Sequence, residues 1–285
     1  MQRNLIFFVL LEYLLFNTSA LAEDFNFYAL PAMTNAKVYD VWTPLIAKVN
    51  ETAKLDIRLV VPQNIMDFEA ALNAQTPDFA FVSPHQVLIG KKLKAYEPIL
   101  LEGGEPIIGM ILVRKDSPIQ KLEELDKKLV GFPMPNSLCG SVLLRRMLIE
   151  KHKTNIESKF LMHHSNVYRS VLRGEVIAGG GINKTFHQEP SEIQNELRVL
   201  YQTPPFASFA IIVHNRVSKE IKDKVVKYFQ ELPNFPELTG FMKSAMMTKP
   251  VPTDYNKDFK PIEDMHLERF LIKDPKLDPK KMHEH

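Results

Sequence analysis

This 285-residue chain predicts an α/β fold, with a mainly parallel sheet and helices on both faces. Two observations carry the prediction. Short apolar runs alternate along the chain with segments of helical periodicity. Several of the runs, such as Phe79-Ala80-Phe81-Val82 and Phe209 to Val213, are apolar at every position, as buried strands are.

Phe25 to Leu30 reads as a strand. Val38, Val41, Trp42, Leu45, Ile46 and Val49 then recur at helical spacing. Leu55 to Val61 alternates as a strand, Met66 to Leu72 suggests a helix, and the strand 79–82 follows. Ser83-Pro84 opens a helix through Leu93, with proline at its first position. Ile107 to Val113 is a long strand, and Leu122 and Leu125 sit on a short helix. Leu129 to Phe132, Lys159 to Met162, Val176 to Ala178 and Val199 to Tyr201 read as strands of a second unit, separated by helices at 141–151 and 166–173. After the strand 209–213, residues Ile221, Val225, Tyr228, Phe229 and Leu232 make an amphipathic helix.

The first residues read as an export signal. Arg3 gives a positive start, Leu5 to Leu15 is apolar apart from Glu12 and Tyr13, and Ala20-Leu21-Ala22 is a small-x-small cleavage site. The apolar run is too short for a membrane span, so the mature chain is expected to begin at Glu23. The remainder is long enough for one large or two medium domains. The formal charge of +2, with both signs mixed, offers no nucleic-acid footprint. Cys139 is the only cysteine, so no intramolecular disulfide can form. From Lys273 the pattern fades into a polar tail ending in Met282, His283 and His285, residue types able to bind copper or nickel but more often solvated.

The most informative stretch is Gly131 to Met147. A strand end runs into a loop with two prolines, and Asn136-Ser137-Leu138-Cys139-Gly140 opens a helix. Amides at a helix start lack partners inside the helix and sit at the positive end of its dipole, which makes such a corner an anion site. Asn136 or Ser137 could equally cap the helix with no ligand present. There is no HExxH, no P-loop and no Ser-His-Asp order, so the chain reads as a binding protein rather than an enzyme, with no cofactor expected.

Several landmarks recur in a family-like order. They are Trp42-Thr43-Pro44-Leu45, Asp78 to Pro84, Val113 to Ile119 with Leu122-Glu123-Glu124-Leu125, the corner 136–140, His164-Ser165-Asn166, Val171 to Val176, and Thr203-Pro204-Pro205. Together they resemble the periplasmic substrate-binding proteins of phosphonate, phosphite and phosphate ABC transporters, over about residues 25–232. The resemblance implies a two-lobed periplasmic-binding-protein fold of type II, with two mixed sheets flanked by helices and two crossover strands. Lobe one would be 23–113 plus 207–285 and lobe two 114–206, with the crossovers around Ile111 and Ile211 and a hinge closing on the ligand.

The resemblance also implies site residues. The family's Ser-Thr-Ser-Gly loop falls on Ser137, Leu138, Cys139 and Gly140, which keeps the first hydroxyl, the glycine and the backbone amides. His164 falls on a ligand-contacting histidine. Ser165 replaces a carboxylate that holds a ligand amine, which argues against an aminoalkylphosphonate ligand. Ile65 and Val82 replace two tyrosines of the cleft. Ser83 and His85 mark the strand-to-helix corner of lobe one, Thr34 with Asn35 follows the first strand at the binding edge, and Asn183 ends a Gly179-Gly180-Gly181 run. Cys139 at a helix start could be a reactive or metal-binding thiol, or a small buried residue in serine's place.

These readings converge on a periplasmic, monomeric solute-binding protein for a small oxyanion, delivering it to an ABC permease. The alternatives are a sensor presenting its bound state to a membrane signalling protein, and a soft-metal variant using Cys139 and His164.

Overall fold

The structure, a computed structural model, describes residues 24–272; the expected export signal and the Met282/His283/His285 tail lie outside them. No helix among the described residues is long and apolar enough to cross a membrane.

The strands separate into two mixed sheets. The first contains β1 (Asp24–Ala29), β2 (Asp56–Val60), β3 (Phe79–Val82), β4 (Tyr96–Glu102), β10 (Ala210–His214) and β11 (Pro250–Pro252), in the order β11-β4-β10-β3-β1-β2. Here β1 runs parallel to β2 and β3, while β10 is antiparallel to β3 and β4. The second contains β5 (Gly109–Arg114), β6 (Leu129–Phe132), β7 (Glu157–Phe160), β8 (Ala178–Ile182) and β9 (Leu197–Gln202), in the order β7-β6-β8-β5-β9.

Helical periodicity translates directly into packing. Helix α1 (Asn35–Ala53) buries Val38, Val41, Trp42, Leu45, Ile46 and Val49, the residues its spacing singles out. Trp42 lies 5.1 Å from Phe27 and 4.7 Å from Phe81, ring to ring, and Phe81 stacks at 5.3 Å on Phe209. Each such side chain, fully buried, contributes about 1.5–3 kcal/mol from the water it sheds. The aromatic row therefore links the core of the first lobe to Phe209, at the edge of the cleft.

Three features depart from the sequence reading. Strand β4 carries Pro98, which demotes a run that would otherwise read as strand. The structure accommodates it opposite a bulge between Ile211 and Ile212 of β10. The strand read at 176–178 instead begins at Ala178 and runs through the glycines to Ile182, because β8 packs too closely for side chains: a Cβ on Gly180 would lie 2.5 Å from the Gly140 carbonyl oxygen.

The crossovers also move. A boundary at residue 113 assigns all of β5 but Arg114 to lobe one, yet β5 pairs with β8 and β9 of the second sheet. Ile111 and Ile211 both sit inside sheets. The chain crosses at 103–108 and 203–209, where Ile107 and Phe206 exchange backbone hydrogen bonds of 3.0 and 2.9 Å. These two crossing segments, paired side by side, are the only covalent links between the two sheets among the described residues and the place where a hinge would bend.

Candidate functional site

The corner after β6 is built as the sequence suggests. The loop 133–137 closes with the Ser137 N–H donating to the Met134 carbonyl at 3.1 Å, and the helix of residues 138–151, α4, begins. Its first turn, Leu138–Val142, is wound as a π turn, and the Ser137 carbonyl accepts from both Ser141 (2.9 Å) and Val142 (3.0 Å). The preceding amides, of Leu138, Cys139 and Gly140, have no backbone acceptor among the described residues. The Ser137 hydroxyl caps none of them. The start of the helix thus carries three amides and a hydroxyl without partners at the positive end of its dipole.

A cavity of about 510 Å³ opens in front of this corner, between the lobes. Lobe two contributes residues 133–139, Met162, His164, Ile182 and Thr185. Lobe one contributes residues 30–32, Ser83, Pro84, Gln86, Phe209 and one face of α2 (Ile65–Asn73). Ile107 of the hinge and Ile272 near the end of the described chain complete it. No lysine or arginine lines it among the described residues.

The electrostatics follow from burial. His164 opens helix α5 (His164–Leu172), and burial with His163 beside it pushes its ring down to about 3, so it is neutral. Its Nδ1 is buried without a hydrogen-bond partner among the described residues. Across the cavity, Glu69 receives a 2.8 Å hydrogen bond from Gln86 Nε2. Burial raises the Glu69 carboxyl above its ordinary range, and the Gln86 bond offsets this in part. Gln86 Oε1 in turn accepts from the Ser83 N–H at 3.2 Å and from the Ser83 hydroxyl. Ser83, Gln86 and Glu69 therefore form one polar row on a largely apolar wall.

The cavity brings together Ser137, Cys139, His164 and Ser83. It does not reach the other residues singled out from sequence. Gly140 lies behind the wall, where a Cβ would meet His164 Cε1 at 2.7 Å and Ser137 Oγ at 2.9 Å; it makes room for the site rather than lining it. His85 is buried away from the cavity, and desolvation lowers it to about 4. Thr34 is exposed at the start of α1, because the chain turns at Pro31 and Ala32 and those residues face the cleft instead. Asn183 is a clasp on the hinge: its Oδ1 accepts from Ile108 N–H at 3.0 Å and its Nδ2 donates to Glu105 Oε1 and the Pro106 carbonyl. With both ends engaged, its side chain has little left for a ligand. The Cys139 thiol, fully enclosed, is pushed up to about 12, which leaves it protonated and a poor nucleophile or metal ligand.

Sequence reading missed Glu69, Asn73, Gln86 and Thr185 on the wall. Only Gln86 carried a signal, since Ser83-x-x-Gln86 is the spacing of a capping box. Asn136 does not cap the helix but pairs with Ile272, by hydrogen bonds of 2.9 and 3.2 Å.

The comparisons with known proteins bear on this geometry. A binding protein component of an ABC phosphonate transporter from Pseudomonas aeruginosa superposes with a TM-score of 0.76 at 15% identity, covering 87% of each chain. PhnD1 from Prochlorococcus marinus, solved with methylphosphonate, gives 0.76 at 11% identity over 88% of this chain and 100% of that one. The periplasmic aliphatic sulphonate binding protein SsuA from Escherichia coli gives 0.62 at 14% identity over 87% and 86%. These likenesses show the fold, which is that of a type II periplasmic binding protein. No curated protein matches the chain in sequence. The sequence profile described as "ABC transporter, phosphonate, periplasmic substrate-binding protein" matches residues 27–259. With most of its length inside that match, the chain belongs to the family of periplasmic substrate-binding proteins of phosphonate ABC transporters, which bind their substrate and are not enzymes.

Proposed function

We propose that the protein captures a small organic anion of phosphonate type between its lobes and delivers it to an ABC permease. The observation that carries the reading is the Ser137 hydroxyl and the unpaired amides of Leu138 and Cys139 on one edge of the cleft, with the Gly140 amide behind them and the neutral ring of His164 beside them. An anionic head there would gain charge-assisted hydrogen bonds, the strongest kind neutral donors can offer.

The rest of the cavity supports an organic substituent rather than a bare ion. Met66, Met134, Met162 and Ile65 are apolar, and about 510 Å³ exceeds what an inorganic oxyanion fills. Glu69 across the cleft disfavours a second negative charge on the ligand. The paired crossing strands supply the motion, and the signal read in residues 1–22 is the expected route to the periplasm.

A thermal-shift panel of phosphate, phosphite, sulfate and alkylphosphonates tests the reading, because a ligand of the native state alone raises apparent stability. At least one alkylphosphonate should raise Tm in a concentration-dependent way, and more than phosphate does. A panel in which no oxyanion shifts Tm would count against the anion site.

A further inference from the structure

We infer that residues 267–272 are a strap that belongs to lobe one by chain position but to the binding site by contact, and that Asn136 and Arg145 use it to position the Ser137 loop. The strap follows β11 and two short helices, Tyr255–Asp258 and Lys260–Glu263. His266, with φ 50° and ψ 59°, turns the chain in a left-handed conformation just before it, a sharp corner for a non-glycine residue. Leu267 and Phe270 are then buried in a continuous apolar cluster with Leu138, Val142 and Leu143 of α4.

Four polar contacts fix the strap to lobe two, one of them an ion pair between Arg269 of the strap and Glu150 of α4. Asn136 reads the main chain of Ile272 with both ends of its amide, accepting from its N–H at 2.9 Å and donating to its carbonyl at 3.2 Å. Arg145, only 9% exposed, donates from one guanidinium nitrogen to the carbonyls of Phe270 (2.9 Å) and Pro135 (2.6 Å). It thereby ties the strap and the site loop to the same atom, while its Nε donates to Ser141 Oγ at 3.2 Å. Pro135 and Asn136 immediately precede Ser137, so the strap holds the loop from outside. Ile272 meanwhile forms part of the cavity wall.

Two consequences follow. The strap makes a third connection between the lobes, so it must travel with lobe two, pivoting at His266, whenever the cleft opens. And Ile272 limits how long a ligand substituent the cavity accepts. The second consequence rests on the anion site proposed above; the first does not.

The test uses full-length Asn136→Ala and Ile272→Ala, with methyl-, propyl- and hexylphosphonate as probes by calorimetry and hydrogen exchange of the ligand-free proteins. In Asn136→Ala, exchange at the amides of Ser137, Ser141 and Val142, whose hydrogen bonds define the loop, should rise about tenfold or more, and affinity for the best-bound probe should fall about tenfold. In Ile272→Ala, preference should move toward the longer probes while exchange at those three amides stays near wild type. A merely structural contact would lower stability without changing the length profile. Unchanged exchange in Asn136→Ala together with an unchanged length profile in Ile272→Ala would overturn the inference. If wild type binds none of the three probes, the anion reading fails, and the exchange measurement alone still decides whether the strap holds the loop.

Discussion

Gly140 and His164 share a single volume: a Cβ on residue 140 would stand 2.7 Å from His164 Cε1. The helix of lobe two can start where it does only because one residue lacks a side chain and the neighbouring ring fills the gap. Gly140→Val should therefore displace His164 and the Ser137 hydroxyl together. Overpacking of this kind costs about 1–3 kcal/mol of stability. Anion affinity should fall by more than that loss suggests, since two ligand groups move at once. Denaturant melts and calorimetry on one preparation check the two effects.

Ser137→Ala separates ligand from fold. The hydroxyl caps no helix amide, so stability should change by no more than about 0.5 kcal/mol. Binding of a phosphonate anion should weaken by about 1–3 kcal/mol, the worth of a hydrogen bond to a charged acceptor. A stability loss with unchanged affinity would mean the hydroxyl serves the fold.

Two buried histidines should make the protein acid-sensitive. His85 and His164 bind protons less readily folded, at about 4 and about 3, than at the ordinary histidine value of 6.5. The unfolded chain takes up protons first, so their contribution to stability is complete above about pH 6.5 and declines as pH falls toward 4. Glu69 acts in the opposite sense: its raised carboxyl favours the folded state as pH falls toward 4.5. The histidines outnumber it, and burial lowers His163 in the same direction. Stability against pH, measured by urea melts from 7.5 to 4.5, should drop on the acid side. His85→Gln should flatten the curve without touching ligand binding, because His85 lies outside the cavity.

The Cys139 thiol should be inert in the native protein. It is buried and held up to about 12. Reaction with a disulfide reagent should be slow under native conditions and rapid in denaturant. Fast native labelling, or a Tm raised by copper(I), would favour the soft-metal alternative.

How much of this was legible in the sequence depended on the range of the interaction. The buried face of α1 was readable because one helix period places Val38, Trp42, Leu45 and Val49 on one side. The strand-loop-helix corner is legible because its geometry is local to 131–147. The hinge was misplaced by several residues because Ile107-Ile108 in the crossing and Met110-Ile111 in the strand are equally apolar; only pairing distinguishes them. Asn183 was noticed but misassigned, since its partner Ile108 lies 75 positions away. The sequence offers Asn136 only as a possible cap, because its partner Ile272 lies 136 positions along the chain. Glu69 gave no signal at all, because a carboxylate on an amphipathic helix reads as a solvated group until the fold shows what it faces.

The proposed function requires an anion on the donors at the start of α4. A crystal structure grown with an alkylphosphonate should show phosphonate oxygens within about 2.7–3.2 Å of Ser137 Oγ and the amides at the start of the helix that face the cleft, with the alkyl group toward Met66 and Ile272. A bound phosphonate elsewhere in the cleft, with those amides left facing water, would contradict it.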